Sequence, residues 1–479
     1  MSRYLVDTHL VAGEMRASAA APTIMPSPID LTPLTAVRLA DETLTDMAIE
    51  VGLAALPAAE TTTPPQRAKA LRALADALDA RGDELAELAA QEIGCPITQA
   101  KALQVGSATG LLRAVADMVG THTFEDLRPA ARGGRVIVRK VPVGLAAGIV
   151  PWNVPMFLAC EKLAAAIAAG CPIILKPSPE NARTMQIFAE AARTLDLPIG
   201  MIAVITGDRD IGRRLVADPR IAKVSFTGST NAGRAVAKAA ATRFARCTLE
   251  LGGKSAAILL DDFRVEDHAN ELFLAMIQNN GQVCGAQSRV LVPRSSAGPM
   301  REALAELFDG LKVGDPLDPE TQIGPLATRV QSSNVKAMFT EAIEGGARKI
   351  GGSYGTGSEC LVDPALLLTG RDSAIARKEV FGPLTALIEY EDIDDAVAIA
   401  NDSDYGLSGS VWSPDTERSI AVARRLRTGT VAINSKRMLD FAAPFGGFRE
   451  SGIGRELGPE GIDSYLETST ILIPEESHA

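Results

Sequence analysis

An α/β fold of more than one domain, built on open and mainly parallel sheets covered on both faces, is predicted by three observations. At 479 residues the chain exceeds one ordinary domain and can bury a large core. Between positions 135 and 250, short β-branched segments alternate with segments of helical spacing about every 25 to 30 residues, the rhythm of parallel strands joined by crossover helices. A second region of the same kind begins near Glu250.

Residues 17–36, rich in Ala, Pro, Ser and Thr, read as a loop or irregular strand. From Pro65 to about Met118 apolar residues recur at three and four positions, which predicts long amphipathic helices that serve as scaffold. The stretches RVIVRKVPVGLAAGIV, CPIILKP (171–177), MIAVITG (201–207) and KVSFTG (223–228) then read as strands. The intervening FLACEKLAAAIAAG, NARTMQIFAEAARTL and NAGRAVAKAAATRF carry helical spacing. Beyond Glu250 come the helix-like ANELFLAMIQ, the strand SRVLVP, a glycine-rich segment near 345–357, then LTALIEY and GTVAIN (429–434). The last strand, TSTILIP (468–474), needs pairing with another segment or subunit to protect its edge.

The bulk properties exclude several classes. A formal net charge of -11 repels phosphate and argues against a general nucleic-acid or anionic-membrane surface. Cysteines 95, 160, 171, 247, 284 and 360 form no CxxC pair, as expected for reduced thiols in a cytoplasmic protein. Histidines 9, 122, 268 and 478 lack ligand spacing, so no metal site is expected. The start, MSRYLVDTHLVAGEM, has no leader pattern, and no apolar run reaches transmembrane length.

Several short motifs admit both a structural and a chemical reading. Gly207 and Gly212 in GDRDIG suggest a glycine turn, but the GxGxxG pattern is absent. In FTGSTNAG, Gly228 permits close backbone approach and Ser229 opens a helix, a turn that caps the helix or receives a pyrophosphate. Lys176 in LKPSPE ends a strand where α/β sheets receive ligands, or is a surface lysine. The turn IVPWNVP holds the Asn153 amide between two prolines, either to stabilise an oxyanion or to cap the helix beginning near Met156. LELGGKS sets Glu250 beside Gly252 and Gly253, where partial desolvation would make it a general base. In NGQVCGAQSR, Cys284 sits among small and polar residues, which suits a buried thiol or an accessible nucleophile.

The ordered set PWN, LKP, FTGS, LELGGKS, GQVC, EVFGP, YGLSGSV and PFGGFRESGIGRE resembles the NAD(P)-dependent aldehyde dehydrogenase superfamily from roughly residue 30 to 474. That resemblance implies a Rossmann-like cofactor domain, an α/β catalytic domain and a small bridging β-sheet. It makes Cys284 the nucleophile, Asn153 the oxyanion-binding amide, Glu250 the base that activates water, and Lys162 with Glu456 a proton-relaying pair. Lys176 is then placed at the adenosine ribose, Gly228 and Ser229 at the phosphates, Trp152 under the cofactor, and Glu379 at the nicotinamide ribose. Phe381 and Phe445 match aromatic positions near the nicotinamide and the substrate. Val150, Pro151, Ser178 and Pro179 join the cofactor set, as do Gly212, Phe226, Leu251 and Gly252. The implied reaction is oxidation of an aldehyde to a carboxylic acid through a thiohemiacetal and a thioester, without metal.

One departure touches the cofactor: Pro179 stands where the family often has a glutamate that favours NAD by repelling a 2′-phosphate. NAD is expected, with NADP left open. For the aldehyde tunnel, the resemblance points to Asn153, Val154, Phe157, Leu158 and Glu161, and further along to Ile277, Gln278, Val283, Arg437, Leu439 and Phe445. Glu161 and Gln278 stand where several relatives use aromatics, so a medium-sized aldehyde with a polar or aromatic portion is expected. Residues 1–119, 142–249 and 444–465 are expected to form the cofactor domain, 250–443 the catalytic domain, and 120–141 with 466–479 the bridging segment of a homodimer or homotetramer. Two alternatives stand: a CoA-acylating relative, which often lacks the glutamate matched by Glu250, and a nonenzymatic binding or structural protein retaining the fold.

Overall fold

In the computed structural model, which describes residues 4–352 and 359–474, an eight-stranded sheet gathers strands from both ends of the chain. Its centre is parallel: Arg246–Glu250, Lys223–Thr227, Ala146–Ile149, Ile173–Lys176 and Ile202–Val204 lie side by side in that order. Antiparallel pieces finish the edges, Gly452–Ile453 at one and the hairpin Thr8–Val11 with Glu14–Ala17 at the other. The central strands are buried on both faces, which is why their sequences run apolar rather than alternating. Crossover helices Pro155–Ala169, Ala182–Arg193, Arg209–Ala217 and Thr230–Ala241 supply that cover.

A seven-stranded sheet follows from residues 256–433, parallel except for Arg348–Gly351 at one edge. The three-stranded antiparallel sheet pairs Arg135–Pro142 with Glu125–Pro129 on one side and with Leu466–Ile473 on the other. The predicted segment RVIVRKVPVGLAAGIV therefore divides, its first half in this small sheet and Ala146–Ile149 in the large one. TSTILIP finds the partner its edge required within its own chain.

Two regions narrow or extend the expectation. Of the two readings of residues 17–36 the irregular strand holds and the loop does not: Pro22–Pro26 and Pro33–Arg38 pair antiparallel with a register shift at Met25–Pro26, and Tyr4–Val6 adds a parallel neighbour. Prolines sit at the strand ends, where no ladder N–H is missed. The helix Glu42–Glu60 precedes the predicted helical region, disguised by Gly52 and Pro57. Gly52 lies close against the sheet, where a Cβ would come within 2.7 Å of Leu145 and displace its side chain. Positions 353–357 of the glycine-rich segment, and 475–479 of the C-terminal segment, lie outside the described residues. Among the described residues, no helix is long and apolar enough to cross a membrane and no group of His, Cys, Asp or Glu side chains is arranged to hold a metal ion.

Candidate active site

The C-terminal ends of four parallel strands open into a single cleft of about 1190 Å³. Register brings them to one level: Ile149 pairs with Lys176 on one side and Phe226 on the other, and Thr227 pairs with Glu250. Loops leaving at that level meet, which is where open α/β sheets receive ligands. The loops carrying Cys284 and Glu379, with residues 436–441, close the opposite wall.

The loop before Cys284 is held in a costly conformation. Asn279, Asn280 and Gly281 follow one another in the left-handed region, with φ of 54°, 61° and 75°; such residues cost about 1–3 kcal/mol each unless glycine. Side-chain amides enforce the turn. Asn280 Nδ2 donates to the carbonyls of Gly94 at 2.8 Å and Pro325 at 3.0 Å, and its Oδ1 accepts from Gly324 N–H at 2.8 Å. Gln99 accepts from Asn279 N–H at 2.8 Å, and Gln282 accepts from Ala327 N–H at 2.9 Å. At Gly281 a Cβ would run into the Gly382 carbonyl, so only glycine fits. The turn delivers Cys284, half-buried, to the cleft wall, which none of the other cysteines lines.

Asn153 lines the same wall. Its Nδ2 donates to the Gln282 carbonyl at 2.9 Å, while its own carbonyl accepts from Asn279 Nδ2 at 3.0 Å and Gln104 Nε2 at 3.1 Å. One amide hydrogen thus fixes the side chain, and the second remains for an oxyanion. The capping alternative fails: the helix Pro155–Ala169 starts from Val154 with no side-chain cap. Gln104 itself belongs to a π-helical turn, Lys101–Gly106, of the kind that re-aims side chains at functional sites. Burial pushes the Cys284 thiol up to about 12, with the carboxylates of Glu250, Glu379 and Glu161 adding to the effect against one backbone N–H bond.

Glu250 also lines the cleft, and both its carboxylate oxygens are buried with no hydrogen-bond partner in the protein. Burial, then the nearby Glu456 charge, raises it well above the usual carboxylate range, against the pull of Lys162 and Arg455. Behind the wall, Lys162 Nζ donates to Glu456 Oε1 at 2.9 Å and to Thr227 Oγ1 at 2.7 Å. Burial alone would push Glu456 up. The Lys162 ammonium, a hydrogen bond with Glu161 and another from Ser225 instead hold it down to about 2.

Toward the other end, Val150, Pro151, Trp152, Lys176, Ser178 and Pro179 line the cleft. So do Phe226, Gly228, Ser229, Leu251, Gly252, Glu379 and Phe381. Ser229 also caps the helix Thr230–Ala241, the structural one of its two readings. Lys176 Nζ donates to the Gly207 carbonyl at 2.7 Å, and burial brings its pKa down to about 8 against the pull of Glu180 and Asp208. Gly212 lies off the cleft, on the helix behind Lys176, where a Cβ would stand 3.7 Å from the lysine Cδ. Glu379 accepts from Gly253 N–H at 3.1 Å.

Of the expected tunnel residues, Val154, Phe157, Leu158, Glu161, Gln278, Val283, Arg437, Leu439 and Phe445 line the cleft. Ile277 does not; it is fully buried in the core beneath the second sheet. Leu103, Met438 and Phe441 also line the cleft, and Phe441 stacks on Phe157 at 6.3 Å between centroids. Sequence reasoning missed these, together with Gln99, Gln104 and Asn279, whose amides are informative only once the strained turn is known.

Residues 16–471 match the model of the aldehyde dehydrogenase family. A geranial dehydrogenase from Castellaniella defragrans is 42% identical over 410 residues, covering 85% of each chain. A phenylacetaldehyde dehydrogenase from Pseudomonas fluorescens is 36% identical over 422 residues, covering 86% of this chain and 84% of that one. The crystal structure of a Mycobacterium tuberculosis aldehyde dehydrogenase complexed with NAD+ superposes over 100% of both chains with a TM-score of 0.95 at 34% identity.

Proposed function

Because the chain belongs to the aldehyde dehydrogenase family, we propose that it oxidises its aldehyde through a thioester on Cys284 and hydrolyses that thioester with Glu250. The chain is an NAD-dependent oxidoreductase acting on aldehydes. The observation that carries the residue roles is convergence: Cys284, Asn153 and Glu250 come from three separate segments to line one cleft.

The residues present fit a dinucleotide. A Cβ at Gly228 would come within 2.7 Å of the Phe226 ring, and one at Gly252 would meet the Glu379 carboxylate, so the backbone lies bare along the floor. Lys176 and Ser229 supply donors there, and Glu379 supplies a carboxylate suited to ribose hydroxyls. Bound NAD supplies the hydride acceptor. Cys284 attacks the carbonyl carbon once its proton has been taken up, and Asn153 donates to the oxygen that becomes negative. After oxidation Glu250 takes a proton from water as the water adds to the thioester. Pro179 leaves the adenosine ribose without the usual glutamate and its repulsion of a 2′-phosphate, so NADP is tolerated beside NAD.

The cleft supports a medium-sized aldehyde with a polar or aromatic portion, since Phe157, Leu158, Phe441 and Phe445 share it with Gln278 and Arg437. The relatives named for geranial and phenylacetaldehyde agree in size. The eight-stranded sheet is assigned to cofactor binding, the seven-stranded sheet to catalysis, and the three-stranded sheet to pairing of subunits. Ile471 and Leu472, 42% and 74% exposed on that last sheet, favour a homodimer or homotetramer. A cytoplasmic setting suits the unpaired cysteines. Turnover of an aldehyde panel with NAD or NADP, with and without CoA, tests this reading. Carboxylate formation without CoA supports it, and obligatory acyl-CoA formation or a preference for short unbranched aldehydes sinks the corresponding part.

A further inference from the structure

We propose that Glu161 carries protons between the cleft and the buried Lys162–Glu456 pair, and so serves thioester hydrolysis rather than aldehyde recognition. The inference rests on the reading of Glu250 as the base.

Hydrolysis leaves a proton on the base, and that proton has to leave before the base can act again. Glu250 and Glu161 line the cleft, whereas Lys162 and Glu456 lie behind its wall with side chains 0% and 5% exposed. Glu161 is the link. It neighbours Lys162 on the helix Pro155–Ala169, its Oε2 lies 3.9 Å from Lys162 Nζ, and its carboxyl group hydrogen-bonds to Glu456. Two carboxyl groups sharing a hydrogen bond in a buried site hold one proton between them. Lys162 and Ser225 stabilise charge on Glu456, which leaves the proton on Glu161. The charged or titratable groups acting on Glu161 are Lys162 from its own helix, Glu456 from the C-terminal segment and Glu250 from the strand Arg246–Glu250. Cys284 and Tyr465 lie near it, and its ionisation would push both up.

The proton accounting closes. Water adds to the thioester carbon, one C–O bond forming as one O–H bond breaks, and Glu250 takes the proton. That proton passes to the Glu161 oxygen not bonded to Glu456, the proton already on Glu161 moves to Glu456, and one proton then passes to water, which returns the cluster to its starting charge. The C–S bond breaks, Cys284 takes the carboxylic proton as it leaves, and a carboxylate departs. Each hydrolysis thus sends one proton through Glu161.

Glu161→Gln keeps the shape and a donor to Glu456 but cannot carry a proton. The expected result is a steady rate lowered about tenfold for every aldehyde tested, with the first-turnover NADH burst held within about twofold. Acyl-enzyme accumulates in the intact mass spectrum, the rise of the steady rate with pH is displaced, and Glu161→Asp restores part of the rate. Wild-type hydrolysis by Glu161→Gln, or a loss confined to KM for some aldehydes, overturns the proposal. Thermal unfolding of both variants identifies any loss due to misfolding, and then Glu161→Asp decides. Glu250→Gln is the separate control: equal loss of its burst and steady rate would defeat the base assignment, whatever Glu161 does.

Discussion

Raising the Cys284 thiol from an ordinary value near 9 to about 12 has a direct chemical consequence in the free enzyme. Below pH 9 it leaves about a thousandth as many thiolates as an unperturbed cysteine carries, and the thiolate is the species that alkylates. The cause is enclosure first and neighbouring carboxylates second, so the neutral thiol is favoured on both counts. Iodoacetamide labelling of Cys284, read by peptide mass spectrometry between about pH 6.5 and 9.5 beside free cysteine, measures this. The logarithm of the rate should climb one unit per pH unit across the range without levelling. A plateau beginning below about pH 8.5 would refute the reasoning, because it would mean that something in the apo cleft stabilises the thiolate.

Gly252→Ala places a methyl group against the Glu379 carboxylate and should break its bond to Gly253 N–H. Titrating NAD by the fluorescence of Trp152, one of two tryptophans and the one lining the cleft, should show binding weakened about tenfold, roughly one lost hydrogen bond to a charged group. Lys162→Met strands the Glu456 charge in a buried site, and urea unfolding at neutral pH should register a loss of about 3–5 kcal/mol, largely recovered in Lys162→Met/Glu456→Gln. The acid limb carries the same sign. Glu456 is depressed to about 2 in the fold, so its stabilisation is present above its unfolded value near 4.5 and lost as pH falls toward 2. Lys162→Met should flatten that limb, and an unchanged acid limb would count against the pair.

Much of this was legible because local chemistry and global geometry agreed. The alternation after residue 135 follows from parallel strands buried on both faces, and Lys176, Gly228 and Glu250 stand at strand ends where such sheets bind ligands. Other features depend on tertiary contacts that no local pattern carries. The helix Glu42–Glu60 contains Gly52, against which Leu145 packs, and glycine reads as a break. Ile277 was expected at the tunnel from the family resemblance, yet one residue along a helix end turns a side chain from cleft to core. Glu161 read as tunnel polarity; only the proximity of Lys162 and Glu456, the latter 295 residues further along, revealed a carboxyl group bonded into a cluster.

Intact-mass analysis of Glu250→Gln after one turnover with aldehyde and NAD tests covalent oxidation at Cys284 followed by Glu250-dependent hydrolysis most directly. The expected spectrum carries the mass of the aldehyde less two hydrogens on Cys284, persisting in the variant and absent from Cys284→Ala. No adduct in Glu250→Gln, or the same adduct in Cys284→Ala, would contradict it.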